Sequence, residues 1–107
     1  MKNRQMKKIA LPVACLLACM VLPARADQAL ATSKNCLACH QVDKKVIGPA
    51  FTDVAARYGG EPDAVDKLAR KIAMGSVGAW GAVPMPPNVG VSELEARTLA
   101  AWVLSRK

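Results

Sequence analysis

The run Cys36-Leu37-Ala38-Cys39-His40 is the part of the chain whose residue types and spacing can carry chemistry. It places two thiols one helical turn apart and an imidazole directly after the second thiol. This spacing is typical of covalent haem attachment, in which each thiol adds to a vinyl group and the histidine binds the iron. The pattern predicts that Cys36 and Cys39 hold a haem and that His40 is an iron ligand.

Two other uses of a Cys-x-x-Cys pair fit this chain less well. A thioredoxin-like redox pair is expected beside a βαβ pattern, and no strand-like run follows His40. A structural zinc site needs four ligands. His40 is the only histidine, and the two further cysteines, Cys15 and Cys19, lie in the N-terminal segment described next. The sequence therefore favours haem over a dithiol or a zinc ion.

Residues 1–26 have the pattern of a Sec-type signal peptide. A basic segment precedes an apolar stretch, Ile9 to Leu22, which is too short and too interrupted by proline to cross a bilayer comfortably. Ala24-Arg25-Ala26 then provides a small-x-small cleavage site. We predict a cleaved signal peptide at 1–26 and one domain at 27–107, exported to a compartment such as the bacterial periplasm.

A second cleavage pattern lies inside the same segment. Leu16-Leu17-Ala18-Cys19 resembles a lipobox, so cleavage before Cys19 would give a lipid-anchored protein. The Ala-x-Ala site lies at a better distance from the basic residues, and it therefore favours a product without the lipid.

Most of the net charge of +7 belongs to the predicted signal peptide. Five of the 15 basic residues, but none of the eight acidic residues, precede Asp27. The predicted domain therefore has ten basic and eight acidic side chains, a net charge of +2. This near balance does not indicate nucleic-acid binding or attachment to a membrane surface. We expect a monomer that does not insert stably into a membrane.

The predicted domain reads as helices separated by loops rich in glycine and proline. A first helix is expected from Asp27 to the Cys-x-x-Cys turn. A second begins near Pro49 and stops at Tyr58-Gly59-Gly60, and a third runs from Pro62 to Gly75. Residues 75–91 show no periodicity and are predicted to contain no regular element.

A capping box, Ser92-Glu93-Leu94-Glu95, predicts the start of a last helix. Its inner face is expected to contain Leu94, Thr98, Ala101 and Trp102. The predicted fold class is all-α, with about four short helices around a covalently bound haem. Since 81 residues bury only about three-fifths of their unfolded surface, we expect stable folding to require that haem.

The second axial ligand of the iron has several candidates. A second imidazole is excluded because His40 is the only histidine, which leaves a methionine sulfur, a lysine amine or an open position. Met74 lies on a helical pattern and is expected to pack in a core. Met85 stands in Val83-Pro84-Met85-Pro86-Pro87, where the prolines stiffen the backbone that presents its thioether. The pattern favours Met85.

These residues belong to a longer series of motifs that covers essentially all of residues 27–107. In order, the motifs are Cys36-Leu-Ala-Cys39-His40, Gly48-Pro49, Gly75-Ser76, Trp80-Gly81, Pro84-Met85-Pro86-Pro87-Asn88 and Leu99-Ala-Ala-Trp102-Val103-Leu104. With them the chain resembles the small bacterial class I cytochromes c, in particular the cytochrome c-551 type. The resemblance implies the single-haem class I fold, with His40 and Met85 as axial ligands and Cys36 and Cys39 as thioether anchors.

The same resemblance implies roles for four further residues. The Pro49 carbonyl would accept a hydrogen bond from His40 and orient its ring. Trp80 would donate to a haem propionate, and Asn88 would bond near the Met85 sulfur. Lys71 stands where such proteins often have arginine near a propionate, and lysine supplies charge there without a planar fork.

An iron with both axial positions filled by the protein has no free site for oxygen or peroxide, so we expect an electron-transfer protein and not an enzyme. The hypothesis is a periplasmic single-electron carrier between a quinol-oxidising complex and a terminal reductase or oxidase. Its redox partner proteins would bind transiently, and the resemblance suggests nitrite reductase or cytochrome oxidase as the acceptor. The alternatives are a haem enzyme or gas sensor with a displaceable sixth ligand, and a haem-free thiol oxidoreductase.

Overall fold

The computed structural model describes the backbone of residues 23–107 and the side chains of residues 27–107. The predicted signal peptide and Cys19 therefore lie outside the described residues, apart from the backbone of 23–26. The described part contains four α-helices, a 3₁₀ turn and a two-stranded sheet. In chain order these are α1 (Pro23–Ser33), the 3₁₀ turn (Cys36–Ala38), α2 (Phe51–Tyr58), α3 (Ala64–Met74), β1 (Ser76–Gly78), β2 (Gly81–Met85) and α4 (Glu93–Leu104). None of these helices is long and apolar enough to cross a membrane.

The local signals for the first three helices are confirmed, with small shifts at their ends. Helix α1 begins at Pro23, before the predicted start at Asp27, because proline suits the first helical position and the alanines after it favour helix. Helices α2 and α3 end next to Gly59 and Gly75, as predicted. Both bury the apolar face that their periodicity indicates.

Helix α4 lies at the centre of the packing, since it contacts α1, α2 and α3. Its inner face combines two small residues, Ala96 and Ala100, with the larger Leu99 and Val103. The small residues let neighbouring backbones approach closely, and the larger ones fill the space between the helices. The core is thus built around one face of α4.

The predicted inner face of α4 is largely wrong. Leu94 is 75% exposed, Ala101 is exposed and Thr98 is only half-buried, whereas Trp102 is 3% exposed as expected. A rotation of 100° per residue places Leu94 on the side opposite Ala96. Because apolar residues occur nearly all round this helix, its periodicity does not select the buried face.

The prediction of no regular element in residues 75–91 is also wrong. Strands β1 and β2 pair antiparallel there, with Ser76 opposite Met85 and Gly78 opposite Gly81, and the register shifts between these two pairs. The strands are short, mostly exposed and contain Pro84, so they give no alternation of apolar and polar residues. The class is mostly helical with this small hairpin added.

The capping box at the start of α4 forms as predicted and connects this helix to the end of α1. Ser92 Oγ accepts from the backbone N–H of Glu95 at 3.1 Å, and Glu95 Oε1 accepts from that of Ser92 at 3.0 Å. Lys34 Nζ lies 3.3 Å from Glu95 Oε2 and donates to the Gly90 carbonyl at 2.9 Å. The Ser92 backbone N–H is the largest cause of a lowered pKa at Glu95, and Lys34 contributes to it.

We expect Glu95→Gln to destabilise the protein at neutral pH but not in strong acid. Because folding lowers the pKa of Glu95, the ionised carboxylate stabilises the fold above the pKa of the unfolded chain. That contribution is lost as the pH falls through the lowered pKa of the folded state. Guanidinium titrations of both proteins at several pH values would measure the difference in the free energy of unfolding. A difference that stays constant down to strong acid would contradict the prediction.

Candidate functional site

A cavity of about 990 Å³ opens between the Cys-x-x-Cys turn, α3 and the hairpin. Apolar core residues such as Leu68, Ile72 and Leu99 form part of its wall. All eight side chains selected from the sequence line it, namely Cys36, Cys39, His40, Pro49, Lys71, Trp80, Met85 and Asn88. The fold thus brings residues from distant parts of the chain into one apolar site.

The 3₁₀ turn places both thiols on the wall of this cavity. Asn35 adopts φ 62°, a left-handed conformation that asparagine tolerates, and it separates α1 from the turn. The backbone N–H groups of Cys39 and His40 both donate to the Cys36 carbonyl, at 3.2 and 3.0 Å. Neither cysteine is in a disulfide bond, both are half-buried, and burial raises the pKa of the Cys36 thiol. The Cys36 sulfur therefore lies in largely apolar surroundings.

The His40 ring is oriented by a hydrogen bond and by close packing. Its Nδ1 lies 2.7 Å from the Pro49 carbonyl oxygen. Since a carbonyl only accepts, Nδ1 carries the hydrogen, and the lone pair of Nε2 is left for a metal. A Cβ at Gly48 would lie only 2.5 Å from Cε1 of His40, so this position has no room for a side chain. Gly48-Pro49 therefore supports one face and one edge of the imidazole.

Phe51 is a site residue that was not selected from the sequence. Its ring stacks on His40, with centroids 5.0 Å apart and an interplanar angle of 22°. Trp102 packs edge-on against the Phe51 ring, and the centroids of these two rings lie 5.3 Å apart. Phe51 thus connects the imidazole to the core around α4. Its place two residues after Pro49 was the available signal, but spacing alone does not distinguish this contact from ordinary packing.

Met85 lies at the end of β2, and backbone contacts hold the segment that carries it. Gly75 has φ 82°, and a Cβ there would lie 2.7 Å from the Met85 carbonyl oxygen and 3.0 Å from the Pro87 nitrogen. Asn88 donates to the Ile72 carbonyl at 2.8 Å through its side-chain nitrogen. The end of α3 therefore packs directly against the loop that follows Met85.

Lys71 and Trp80 line the cavity on the side of the hairpin. Lys71 is half-buried, and its Nζ donates to Ser76 Oγ at 3.4 Å. Trp80 lies in the turn between the strands and is 39% exposed. A guanidinium group, that of Arg57, lies over its ring with a distance of 4.5 Å to the ring centroid. This arginine was not selected from the sequence.

The family model for cytochrome c matches residues 25–107 of this chain. The chain belongs to the cytochrome c family. It is 55% identical over 84 residues to cytochrome c-552 of Nitrosomonas europaea, covering 78% of this chain and 82% of that protein. It is 52% identical to cytochrome c-551 of Pseudomonas aeruginosa, covering 75% of this chain and 76% of that protein. The crystal structure of wild-type Nitrosomonas europaea cytochrome c552 superposes with a TM-score of 0.73 at 54% identity, covering 75% of this chain and 99% of that one.

These comparisons confirm the predicted family, fold and cofactor. The protein is a small class I cytochrome c of the c-551 type, an electron carrier with one covalently bound haem c. The residues present fit that group, because a thiol pair, an imidazole with a free Nε2 and a thioether share one largely apolar cavity. The individual roles of the eight site residues remain predictions, for which the structure supplies positions.

Proposed function

We propose that this cytochrome is a periplasmic single-electron carrier in which His40 and Met85 bind the iron and Cys36 and Cys39 form the thioethers. One observation carries the proposal: the only histidine of the chain and a proline-flanked methionine lie on the walls of the cavity that also holds the thiol pair. When bound, haem c supplies an iron that gains and loses one electron.

His40 and Met85 determine what the site can do. With His40 and Met85 both bound to the iron, no position would be left for oxygen or peroxide, so we propose electron transfer without catalysis. The thioether of Met85 favours the reduced state and raises the reduction potential. Pro49 and Phe51 hold the imidazole in one orientation, so little has to reorganise when the charge changes.

Three further side chains act on the periphery of the site. Lys71 would supply a positive charge close to a propionate, and Trp80 would donate its indole N–H to one. Asn88 uses one amide hydrogen on the Ile72 carbonyl, and we assign the second to the Met85 sulfur. These contacts would keep the propionates and the thioether in fixed positions.

The rim of the cavity supports exchange of electrons through a protein contact. Val46, Ile47 and Val83 line the cavity and are 47%, 56% and 64% exposed. An exposed apolar rim of this kind suits a small, transient interface with a redox partner. We propose a quinol-oxidising complex as donor and a terminal reductase or oxidase as acceptor, with nitrite reductase or cytochrome oxidase as the first candidates to test.

The proposal includes the route to the periplasm. Residues 1–26 would be removed as a signal peptide, Cys19 would leave with it, and residues 27–107 would remain as a monomer without a lipid anchor. Transient contacts with partners are then made from solution, without stable insertion into a membrane.

The proposal is tested by the mass and the carbon monoxide reactivity of the protein recovered from the periplasm of an expressing bacterium. We expect the mass of residues 27–107 plus one haem, with no lipid and no free thiol. The reduced protein should bind carbon monoxide only slowly at neutral pH, because Met85 occupies the iron. Rapid, tight binding would indicate an enzyme or gas sensor, and a polypeptide without haem would indicate a thiol oxidoreductase.

A further inference from the structure

Arg57 connects the last turn of α2 to the tip of the hairpin. Its Nη1 donates to the Ala79 carbonyl oxygen at 2.6 Å. The same guanidinium lies over the ring of Trp80, 4.5 Å from the centroid, and lies 5.8 Å from the centroid of Tyr58 on α2. We call this arrangement of Arg57, Ala79 and Trp80 the Arg57 clamp.

The hairpin depends on such contacts because it is only loosely joined to the helices. Strands β1 and β2 pair mainly with each other, whereas the helices pack around α4. The strand residue Val77 is 81% exposed and does not line the cavity, so it adds little apolar burial to the hairpin. Apart from the clamp, which comes from α2, the hairpin has a long side-chain hydrogen bond to α3, in which Lys71 donates to Ser76 at 3.4 Å. The hydrogen bond from Arg57 to the Ala79 carbonyl, at 2.6 Å, is the shorter of these two hydrogen bonds.

Strand β2 runs from the residue after Trp80 to Met85. A displacement of the turn is therefore passed along one short strand to the proposed iron ligand. A planar guanidinium can stack on the indole while one N–H bonds to the neighbouring carbonyl. A lysine ammonium provides the charge but cannot make both contacts in this geometry.

We infer that Arg57 is a positioning residue that holds the hairpin turn in place and thereby keeps Met85 on the iron. This inference rests on the proposed role of Met85. It assigns to Arg57 a part in retaining the axial ligand, although its side chain does not line the cavity.

The rate of cyanide binding to the ferric holoprotein tests the inference, because cyanide must wait for Met85 to leave the iron. Losing an exposed cation–π contact together with a charged hydrogen bond should make Arg57→Ala bind cyanide about tenfold faster. Arg57→Lys should be several-fold faster than the wild type. Exposed Arg70 of α3 lines a separate shallow groove, and Arg70→Ala is the matched control, expected to leave the rate unchanged.

Amide hydrogen exchange provides a readout that does not depend on the ligand. Exchange in residues 76–85 should be faster in Arg57→Ala than in the wild type, and exchange in α4 should be unchanged. Unaltered cyanide binding and hairpin exchange in Arg57→Ala would overturn the inference. A wild-type rate in Arg57→Lys would also overturn it, because charge alone would then be sufficient.

The failure of the ligand assignment gives a different result. If Met85→Ala binds cyanide no faster than the wild type, Met85 does not block the iron and the proposed function is wrong at that residue. The exchange of the hairpin amides then still decides whether Arg57 holds the turn.

Discussion

Met85→Ala is expected to lower the reduction potential by on the order of 0.1 V or more, within the range of about 0.8 V over which axial ligands tune haem proteins. The thioether favours the reduced iron, and alanine offers no ligand in its place. The same change should let the reduced protein bind carbon monoxide rapidly. Potentiometric titration measures the potential, and the absorption change of the reduced protein on mixing with carbon monoxide measures the second effect. Loss of the iron–sulfur charge-transfer absorption in the ferric protein would show that the thioether has left the iron.

Met74→Ala is the matched control for this experiment. Met74 is 72% exposed at the end of α3, so the expectation that it packs in a core is wrong, and it lies outside the cavity. Its replacement should change neither the potential nor the carbon monoxide reactivity. An unchanged potential in Met85→Ala would assign the second axial position to another group, and the cavity offers the amines of Lys34, Lys45 and Lys71.

Replacing Cys36 and Cys39 together by alanine is expected to remove covalent haem and most of the helical structure. Five of the twelve residues in the buried core cluster of the described part are alanines, so this small core provides limited apolar area by itself. A core of this size rarely supplies more than about 3–5 kcal/mol. The walls of a cavity of about 990 Å³ also need the haem as a packing partner. Solvent extraction of the haem followed by far-ultraviolet circular dichroism would measure the loss.

The single variants Cys36→Ala and Cys39→Ala provide a graded comparison. Each retains one thioether, so each should keep its haem on extraction and show a smaller loss of thermal stability. A haem-free double variant with the circular dichroism of the wild type would contradict the idea that the cofactor stabilises the fold.

Interactions between residues close in sequence were predictable. The Cys-x-x-Cys-His run predicted the cofactor, and the comparisons confirm haem c. The capping box predicted the start of α4, because each of its two hydrogen bonds joins residues three positions apart. Gly59 and Gly75 likewise marked the ends of α2 and α3. Each of these signals depends on a few neighbouring residues, so it can be read before the chain is folded.

Contacts between distant segments were decided only by the tertiary structure. The buried face of α4 depends on the helices that meet it, and Leu94 is exposed although its own periodicity allows burial. The hairpin pairs two short strands that show no alternation. Phe51 on His40 and Arg57 on Trp80 join elements whose relative positions no local pattern contains. The local sequence therefore determined the cofactor and where most helices begin and end, whereas tertiary packing determined which side chains hold the ligands, because such contacts exist only after separate surfaces meet.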